Sequence, residues 1–391
     1  MKNVLIIQSQ VKHYRLAFFL KLRDELRTHN IDLKVAYADP WDLDRRNDTC
    51  DLPTDFGIKI KPRLFFGKRL VYFPLICEIM NSNLIISEQA NKHLHNYALI
   101  LLSVLGFRRI AFWGLGENKD KNRSALSEWI RRRIANKVFW WFAYTEGTRR
   151  YLIENGVRDD RLTVVQNAID TGATHRFLHD LTDQEISCKR HELGIGNDDP
   201  VGLFVGALLP DKGLDLLFKA AELAKKQLTA LHIVVIGGGP ERRLVEAACR
   251  KYLWMHYLGP VFGRDKILLL RIADALVLPG RVGLAILDGF AAGLPLLTTD
   301  VPYHGPELEC LENMRNGMLS QHTPQAYAST MISFFSNRTL RAKLSKGAKD
   351  TALHYSVDAM VDNFSLGIRR ALELDVMLSQ LQVTISDAER D

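Results

Sequence analysis

The sequence predicts an α/β fold with two Rossmann-like domains, each built on a doubly wound parallel sheet, facing a cleft. Three observations support this prediction. The chain has 391 residues, of which 47% are hydrophobic, so it is long enough for two buried cores. Its first half alternates short apolar runs with amphipathic helical stretches. Its second half shows the same alternation again without any repeated sequence.

The first half contains several runs with the composition of strands, at residues 4–8, 33–38, 84–87, 110–113, 138–145 and 162–166. Between the first two, Leu16, Phe19 and Leu26 recur at helical spacing among charged residues, which predicts a helix with one buried face. Strands that alternate with helices are typical of a parallel sheet, because each parallel connection needs a crossover. We therefore assign residues 1–170 to an N-terminal Rossmann-like domain.

A change of pattern separates the two halves. Residues 171–199 lose the alternation, carry many charges and end in a cluster of turn-forming residues, so we predict an interdomain linker there. Strand patterns resume at 201–205, 231–236, 257–258, 276–278 and 296–298. We assign residues 200–355 to a second Rossmann-like domain and residues 356–391 to a C-terminal helix and tail.

Composition argues against several classes of protein. The five cysteines are far apart and form no CxxC pair, so neither a zinc site nor a disulfide framework is indicated. The longest apolar runs, 97–105 and 138–144, are much shorter than the roughly 20 residues of a membrane-spanning helix. The first residues lack the pattern of a signal peptide, so we expect a cytoplasmic protein. The net charge of +7 favours anionic partners without choosing among them.

Residues that follow strands are the first candidates for binding, because ligands of doubly wound sheets lie at the carboxyl ends of the strands. After the strand at 201–205, Gly206 allows close approach of the backbone, and Lys212 offers an ammonium group to a diphosphate or is a solvated turn residue. After the strand at 231–236, Gly238 belongs to a run of three glycines. These glycines either expose backbone donors to a ligand or serve only to turn the chain.

A glycine-rich loop and a helical carboxylate follow the strand at 276–278. Gly280, Gly283 and Leu284 lie in this loop, and Asp288 lies on the helix after it. This order suits the binding of a phosphate and a ribose hydroxyl together. The alternative role for Asp288 is a helix cap or a solvated carboxylate.

Two polar residues follow the strand at 296–298. His304 and Glu307 are candidates for substrate binding, because both come after the carboxyl end of a strand. A surface position for His304 and a capping role for Glu307 are the alternatives.

The order and spacing of these segments resemble the family 4 retaining nucleotide-sugar glycosyltransferases, of the group 1 type. The resemblance is carried by the strand-end glycine at 206, the Lys-Gly pair at 212–213, the Gly-Gly-Pro at 238–240 and the Phe-Ala-Ala-Gly-Leu-Pro at 290–295. It is strongest over residues 200–320. It implies the GT-B fold, in which the second domain binds the donor and the first domain provides the acceptor side.

The resemblance also implies roles for individual residues. Lys212 would neutralise the donor diphosphate as it leaves, and the backbone amides near Gly283 and Leu284 would hold a phosphate. Asp288 would bind the nucleotide ribose. The donor-binding loops also contain Gly206, Gly238 and Gly280.

Three positions depart from the family pattern. Gly280 stands where a glutamate is usual, and Ala207 stands where an arginine supplies a second cation for the diphosphate. In the first half, Leu115-Gly116 replaces a histidine-glycine pair. Polar residues that follow first-half strands are candidates to replace the missing groups, namely Arg15, Glu117 and Asn118.

These observations predict a retaining glycosyltransferase that moves a hexosyl unit from a UDP- or GDP-sugar to a glycan. The expected acceptor is a lipid-linked oligosaccharide of surface polysaccharide biosynthesis. We expect no cofactor and no metal, because no Asp-x-Asp pair follows a strand; Asp42 and Asp44 have that spacing but lie in a polar stretch. The alternatives are a nucleotide-sugar epimerase and a non-catalytic nucleotide-sugar binding protein.

Two segments suggest peripheral contact with an anionic membrane. Leu126, Trp129, Ile130 and Ile134 share one helical face, although a packed helix with a solvated basic side is the alternative. The basic flank beside this face consists of Arg131, Arg132, Arg133 and Lys137. Basic and aromatic residues also alternate at Lys59, Lys61, Arg63, Phe65, Phe66, Lys68, Arg69, Tyr72 and Phe73. Such interleaving also occurs on nucleic-acid surfaces, but no nucleic-acid module accompanies it, so we expect no nucleic-acid partner.

Overall fold

The computed structural model of the chain describes residues 1–40, 49–67, 69–116 and 125–388. The chain divides into two compact units. The first comprises Met1–Asn167 together with Val357–Asp391, and the second comprises Ala168–Ser356. The chain therefore passes from the first unit to the second and back again, and its last helix belongs with the N-terminal half.

A parallel sheet of seven strands forms the centre of the first unit. The strands are β1 (Lys2–Ile7), β2 (Ile31–Ala38), β3 (Gly57–Ile60), β6 (Leu84–Glu88), β7 (Arg109–Gly114), β8 (Trp140–Ala143) and β9 (Leu162–Val164). Their spatial order is β3-β2-β1-β6-β7-β8-β9. The central strands are almost continuously apolar because both of their faces are buried.

The helices of the first unit are α1 (Leu16–Thr28), α2 (Ile76–Met80), α3 (Leu94–Val104), α4 (Ala125–Ala135), α5 (Glu146–Glu154) and α14 (Val357–Ala388). A separate antiparallel hairpin of β4 (Arg63–Phe65) and β5 (Leu70–Tyr72) precedes α2. Its turn contains Phe66 and Gly67, both with positive φ angles of 50° and 63°. A left-handed φ is unfavourable for a phenylalanine, so this turn is strained.

One aromatic side chain anchors α14 to the first sheet. The Phe364 ring is fully buried and lies 4.5 Å from the ring centroid of Phe142 and 4.8 Å from that of Trp113. Gly367, one turn later, lets the helix approach the sheet, because a Cβ there would lie 2.7 Å from Cε1 of Phe142. The last helix is therefore part of the first hydrophobic core.

The second unit contains a parallel sheet of six strands in the order β12-β11-β10-β13-β14-β15. The strands are β10 (Val201–Val205), β11 (His232–Ile236), β12 (Met255–Tyr257), β13 (Ala275–Val277), β14 (Leu296–Thr299) and β15 (Gly317–Ser320). The helices are α6 (Thr171–Asp180), α7 (Asp183–Glu192), α8 (Leu214–Lys225), α9 (Arg242–Lys251), α10 (Gly263–Ile272), α11 (Ala285–Ala291), α12 (Pro324–Phe335) and α13 (Arg338–His354).

Residues 171–199 differ from the linker expected there, because they contain α6 and α7 and belong to the second unit. A capping box begins α7: Thr182 accepts from the Glu185 backbone N–H, and the Glu185 carboxylate accepts from the Thr182 backbone N–H. Arg190 is buried and donates to the Ile272 carbonyl at 2.6 Å. The many charges of this segment are thus compatible with packed helices.

In both sheets the strand order reverses beside the first strand of the unit. The reversal lies between β1 and β6 in the first unit and between β10 and β13 in the second. Loops that follow neighbouring parallel strands diverge at such a reversal and leave a crevice, which is where doubly wound sheets bind ligands. The topology therefore marks one candidate binding place in each unit.

The predicted α/β class is confirmed, and each predicted strand overlaps an observed strand. The sequence pattern misses β3, β15 and the hairpin β4–β5. β3 and β15 are edge strands and most of their residues are partly exposed, so they lack the continuous apolar run that identifies a buried strand. Within the part of the chain that the structure describes, no helix is both long enough and apolar enough to cross a membrane.

We predict that Phe364→Ala lowers the free energy of unfolding by about 3–5 kcal/mol, the usual cost of removing a buried phenylalanine. Leu366→Ala is the control, because Leu366 lies on the same helix and is partly exposed. Urea denaturation followed by tryptophan fluorescence measures both. Equal losses in the two variants would show that α14 is not anchored through Phe364.

Candidate functional site

The reversal between β10 and β13 contains a pocket of ≈ 330 Å³. Strands β10 and β13 pair directly, with Leu203 opposite Leu276, so the loops that follow them lie side by side. The pocket is bordered by residues from both loops, among them Gly206, Ala207, Lys212, Arg281, Gly283 and Leu284. The structure thus brings together Gly206, Ala207, Lys212, Gly283 and Leu284, all of which the sequence singled out. It adds Arg281.

The two loops are joined backbone to backbone. The N–H of Gly280 donates to the Lys212 carbonyl at 3.1 Å, and the N–H of Arg281 donates to the Asp211 carbonyl at 2.8 Å. A Cβ on residue 280 would lie 2.3 Å from the Asp211 carbonyl oxygen, closer than real contacts allow. A glutamate cannot occupy position 280 in this backbone, so the departure at Gly280 has a steric reason.

Lys212 is the last residue of a short 3-10 helix, Pro210–Lys212, and it borders the pocket. Gly213, with a φ of 69°, follows it and leads into α8. The Nζ of Lys212 donates to the Arg281 carbonyl at 2.6 Å. Burial lowers the pKa of Lys212, and Arg281 lowers it further, while Asp211 opposes the shift. An anion in the pocket would favour the charged form of this partly desolvated amine.

Arg281 is the cation that sequence reasoning missed. It borders the same pocket as Lys212 and is half-buried, with a guanidinium nitrogen 3.7 Å from Asp211 Oδ2. The resemblance located the second cation at position 207, where this chain has alanine. Ala207 and Arg281 nevertheless border one pocket, because the loops of β10 and β13 meet there. The basic residue next to Gly280 was the available signal.

The glycines after β11 shape the chain. A Cβ on Gly237 would lie 1.8 Å from the Gly206 carbonyl oxygen, and one on Gly239 would lie 2.6 Å from that of Leu208. Gly238 accepts through its carbonyl from the Leu208 N–H at 2.8 Å and does not border the pocket. These contacts favour the turn-forming alternative for Gly238.

Gly283 and Leu284 border the pocket immediately before α11. Among the described residues, neither of their backbone N–H groups has a hydrogen-bond acceptor. A Cβ on Gly283 would meet nothing within 4 Å, so this glycine leaves open space on the pocket side of the chain. Two backbone donors and two cationic side chains therefore surround a cavity that can hold an anion.

Asp288 lies on α11 but does not border the pocket. Its Oδ2 accepts from Lys266 Nζ at 2.7 Å, and its Oδ1 lies 3.4 Å from the hydroxyl of Thr174. The carboxylate is thus directed toward α6 and α10. The spacing in the sequence predicted the helix position of Asp288 but not the direction of its side chain.

His304 is buried and supports the loop after β13. Its Nδ1 accepts from the Val282 N–H at 3.2 Å, and its Nε2 donates to the Thr299 carbonyl at 2.6 Å. These two bonds assign the neutral ring with the proton on Nε2. Burial lowers the pKa of His304 and outweighs the opposing effect of Thr299. The surface position considered for His304 is wrong, since the side chain is inside.

Three further side chains hold the same region. The hydroxyls of Thr298 and Thr299 donate to the carbonyls of Leu278 and Pro279 at the end of β13. Glu307 is half-buried, and its carboxylate lies against Gly305. Its charge partly opposes the lowering of the pKa of Lys212. Neither His304 nor Glu307 borders the pocket. His304 instead holds the loop after β13, whose residues Arg281, Gly283 and Leu284 do border it.

In the first unit, Arg15 is buried just before α1. Its Nη2 donates to the Tyr144 hydroxyl at 3.0 Å and to Asn167 Oδ1 at 3.1 Å, and the guanidinium lies 4.3 Å from the Trp113 ring centroid. Its Nη1 has no hydrogen-bond partner among the described residues. The other two first-half candidates, Glu117 and Asn118, lie outside the residues that the structure describes.

The reversal between β1 and β6 carries a polar cluster that sequence reasoning missed. Glu88 Oε2 accepts from the N–H of Ser9 at 3.0 Å and from its hydroxyl at 2.6 Å. Burial opposes ionisation of Glu88, but His93 and the Ser9 hydrogen bonds lower its pKa overall. A charged carboxylate therefore lies at the place where the first sheet has its crevice.

Two observations limit other assignments. No group of three or more His, Cys, Asp and Glu residues with metal-binding geometry occurs in the described ranges, and Asp42 and Asp44 lie outside them. A larger pocket of ≈ 720 Å³ lies at the opposite edge of the second sheet, beside the end of α10 and the start of α13. It contains none of the strand-end glycine loops, so volume alone does not identify the functional site.

The family model that matches this chain lies within the second unit, which contains the smaller pocket. Residues 186–351 match the family model described as "Glycosyl transferases group 1". The D-inositol 3-phosphate glycosyltransferase of Jonesia denitrificans is 26% identical over 213 residues, 51% of this chain and 49% of that protein. The D-rhamnosyltransferase WbpZ of Pseudomonas aeruginosa is 31% identical over 106 residues, 25% of this chain and 26% of that protein. The chain thus spans about half or less of the length of these relatives.

Solved structures show the same fold over nearly the whole chain. HepE of Anabaena, solved in complex with UDP, covers 94% of this chain and 100% of its own, with a TM-score of 0.69 and 16% identity. WaaG, a glycosyltransferase involved in lipopolysaccharide biosynthesis, covers 93% of this chain and 98% of its own, with a TM-score of 0.59 and 14% identity. The predicted GT-B fold is confirmed, and so is the predicted resemblance to the group 1 glycosyltransferases.

We predict that His304→Gln removes a pH-dependent part of the stability. The pKa of His304 is lowered in the folded state, so the unfolded state binds more protons below about pH 6.5, and folding loses free energy as pH falls. The difference in unfolding free energy between the native chain and the variant should shrink by about 1 kcal/mol between about pH 7.5 and about pH 5.5.

Urea denaturation at the two pH values tests this expectation. His354→Gln is the control, because His354 is an exposed histidine at the end of α13. A difference that stays constant for His304→Gln across the pH range would contradict a buried neutral imidazole.

Proposed function

We propose that this chain transfers a hexosyl unit from a UDP- or GDP-sugar to a glycan with retention. The proposal starts from the match of residues 186–351 to the group 1 glycosyltransferases. The observation that carries the proposal is the pocket between β10 and β13. Lys212, Arg281 and the N–H groups of Gly283 and Leu284 surround it. This set of groups suits a nucleoside diphosphate better than a neutral ligand.

The diphosphate end of the donor is assigned to this pocket on electrostatic grounds. When the bond between the sugar and the diphosphate breaks, negative charge develops on the leaving phosphate oxygen. Lys212 and Arg281 place two cations beside that charge in a partly desolvated site, where such stabilisation is strongest. Their charge supplies what a divalent metal otherwise supplies, so we propose transfer without a metal.

The nucleoside end is assigned to α11 and its neighbours. We propose that a ribose hydroxyl donates to Asp288, whose Oδ1 lies 3.4 Å from the Thr174 hydroxyl. Lys266 would hold the carboxylate in position, because its Nζ lies 2.7 Å from Asp288 Oδ2. HepE is solved with UDP and with UDP-glucose, which supports a uridine donor among the two choices.

The acceptor is assigned to the first unit. Its candidate contacts for sugar hydroxyls are Arg15, whose buried Nη1 has no partner in the described part of the chain, and Glu88, whose pKa is lowered. We propose a lipid-linked oligosaccharide of surface polysaccharide biosynthesis, reached by a cytoplasmic enzyme in peripheral contact with the membrane. The relation to WaaG and to the D-rhamnosyltransferase of Pseudomonas aeruginosa supports a role in glycan assembly.

We predict that Lys212→Ala leaves a folded protein whose kcat is lower by about 100-fold, because a cation that stabilises the leaving group is lost. Lys219→Ala is the control, since Lys219 is an exposed lysine on α8 that pairs with Asp215. Release of the free nucleoside diphosphate in the presence of an acceptor panel gives the rate, and thermal melting reports folding.

The same assay separates the alternatives. An epimerase would alter the donor sugar without acceptor, and a non-catalytic binding protein would bind donor and release no diphosphate with any acceptor. Undiminished turnover of Lys212→Ala would remove this lysine from the mechanism.

We predict that Arg281→Gln weakens the binding of UDP or GDP by about tenfold, the effect of losing one charged hydrogen bond of about 1.4 kcal/mol. Binding of the matching nucleoside should be unchanged, because the nucleoside makes no contact with the diphosphate cations. Thermal shift and calorimetry with UDP, GDP, ADP, uridine and guanosine measure both effects. Equal weakening of nucleoside and diphosphate would indicate a general loss of structure instead of a phosphate contact.

A further inference from the structure

Helix α3 exposes an apolar face to solvent. Its inner face is buried through Leu99 and Ile100, as expected for a helix on a sheet. Its outer face and the turn after it carry Leu101, Val104, Leu105 and Phe107, all more than half exposed. A surface helix normally presents polar residues outward, so this face lacks the partner that its composition requires.

Helix α2 extends the same apolar surface. Ile76 and Met80 are one helical turn apart, so they share a face. Met80 and Phe107 border one shallow surface pocket, and Arg108 donates to the Met80 carbonyl at 2.9 Å. These six apolar side chains, on α2, on α3 and in the turn after α3, are each between 55% and 68% exposed. Clusters of this kind mark interaction surfaces.

The hairpin β4–β5 adds a basic and aromatic tip. Phe66 is 79% exposed in its left-handed turn, with the exposed Arg63 and Arg69 on either side in sequence. The second strand of the hairpin lies beside the segment that leads into α3, because the Val71 N–H donates to the Lys92 carbonyl at 2.8 Å. Hairpin, α2 and α3 are thus neighbours within the first unit.

Charge identifies the partner of this surface. Residues 61–109 contain seven Lys and Arg residues but only two Glu residues, so they contribute +5 of the formal net charge of +7. One of the two, Glu88, is held by Ser9 in the polar cluster described above. An apolar face in a segment of net positive charge suits a bilayer with acidic headgroups, with apolar side chains in the interface and basic side chains at the phosphates.

We infer that the hairpin β4–β5, α2 and the outer face of α3 with the turn after it form the surface by which the first unit docks on an anionic lipid bilayer. The inference deepens the membrane contact in the proposed function by naming the surface that makes it. It does not depend on catalysis, because docking needs neither donor nor acceptor. α4 contributes less evidence: Trp129 is exposed and stacks with Arg133, but Ile134 packs on the core.

Co-sedimentation of the full chain with vesicles tests the inference. Vesicles of phosphatidylcholine and phosphatidylglycerol in equal parts should bind the protein, and pure phosphatidylcholine vesicles should bind it at least about tenfold less, since each basic residue near an acidic surface contributes to partitioning. Added salt should release the protein, because screening weakens the attraction. The measurement contains no donor, so a failed transferase assay and a failed docking assay remain distinguishable.

Matched variants locate the surface. Phe66→Ser should reduce binding to the mixed vesicles several-fold, while Phe262→Ser should not, although both phenylalanines are 79% exposed. Arg63→Glu with Arg69→Glu should reduce it by at least about tenfold, while Arg243→Glu with Arg250→Glu on α9 should reduce it much less. Leu101→Ser with Val104→Ser tests the helix face.

Folding and self-association are followed in the same samples. Thermal melting with and without UDP confirms that each variant is folded. Binding that is equal in target and control variants would overturn the inference. A concentration-dependent dimer that only Leu101→Ser with Val104→Ser abolishes, with vesicle binding unchanged, would assign the face to a second copy of the chain and would also overturn it.

Discussion

The contact between the backbones of residues 211–213 and 279–281 is the constraint on which the donor side depends. Gly280 permits it, because any side chain there would collide with the Asp211 carbonyl. The contact places Lys212 and Arg281 at one pocket and lets the Lys212 ammonium group reach the Arg281 carbonyl. The same geometry excludes a glutamate from position 280 and places the neighbouring Arg281 at the pocket.

Neutral hydrogen bonds hold this arrangement from the side of β14. Thr298, Thr299 and the uncharged His304 satisfy backbone groups at positions 278, 279 and 282, which would otherwise be buried without partners.

The first unit has the same strand reversal, but the residues at it are chemically different. At its strand reversal the groups are Ser9, Glu88 and His93, so the two sheets present an acidic and a basic crevice from one architecture.

Sequence reasoning located much of the donor side because carboxyl ends of adjacent parallel strands must meet. Gly206, Lys212, Gly283 and Leu284 were found in this way and share one pocket. Arg281 escaped notice because the second cation was sought at position 207, on the other loop. Asp288 was placed on the correct helix, but spacing does not reveal that its carboxylate is directed to Lys266. His304 follows a strand as expected, yet its burial depends on the fold around it.

The sequence by itself determined the alternation of strands and helices, and hence two parallel sheets with binding places at their carboxyl edges. Local patterns suffice for this, because period and apolar runs are properties of neighbouring residues. Only the tertiary structure decided that residues 171–199 pack as helices on the second unit and that α14 returns to the first. Phe364 lies against Phe18, Trp113 and Phe142, residues more than two hundred positions earlier, and contacts between such distant residues leave no local pattern.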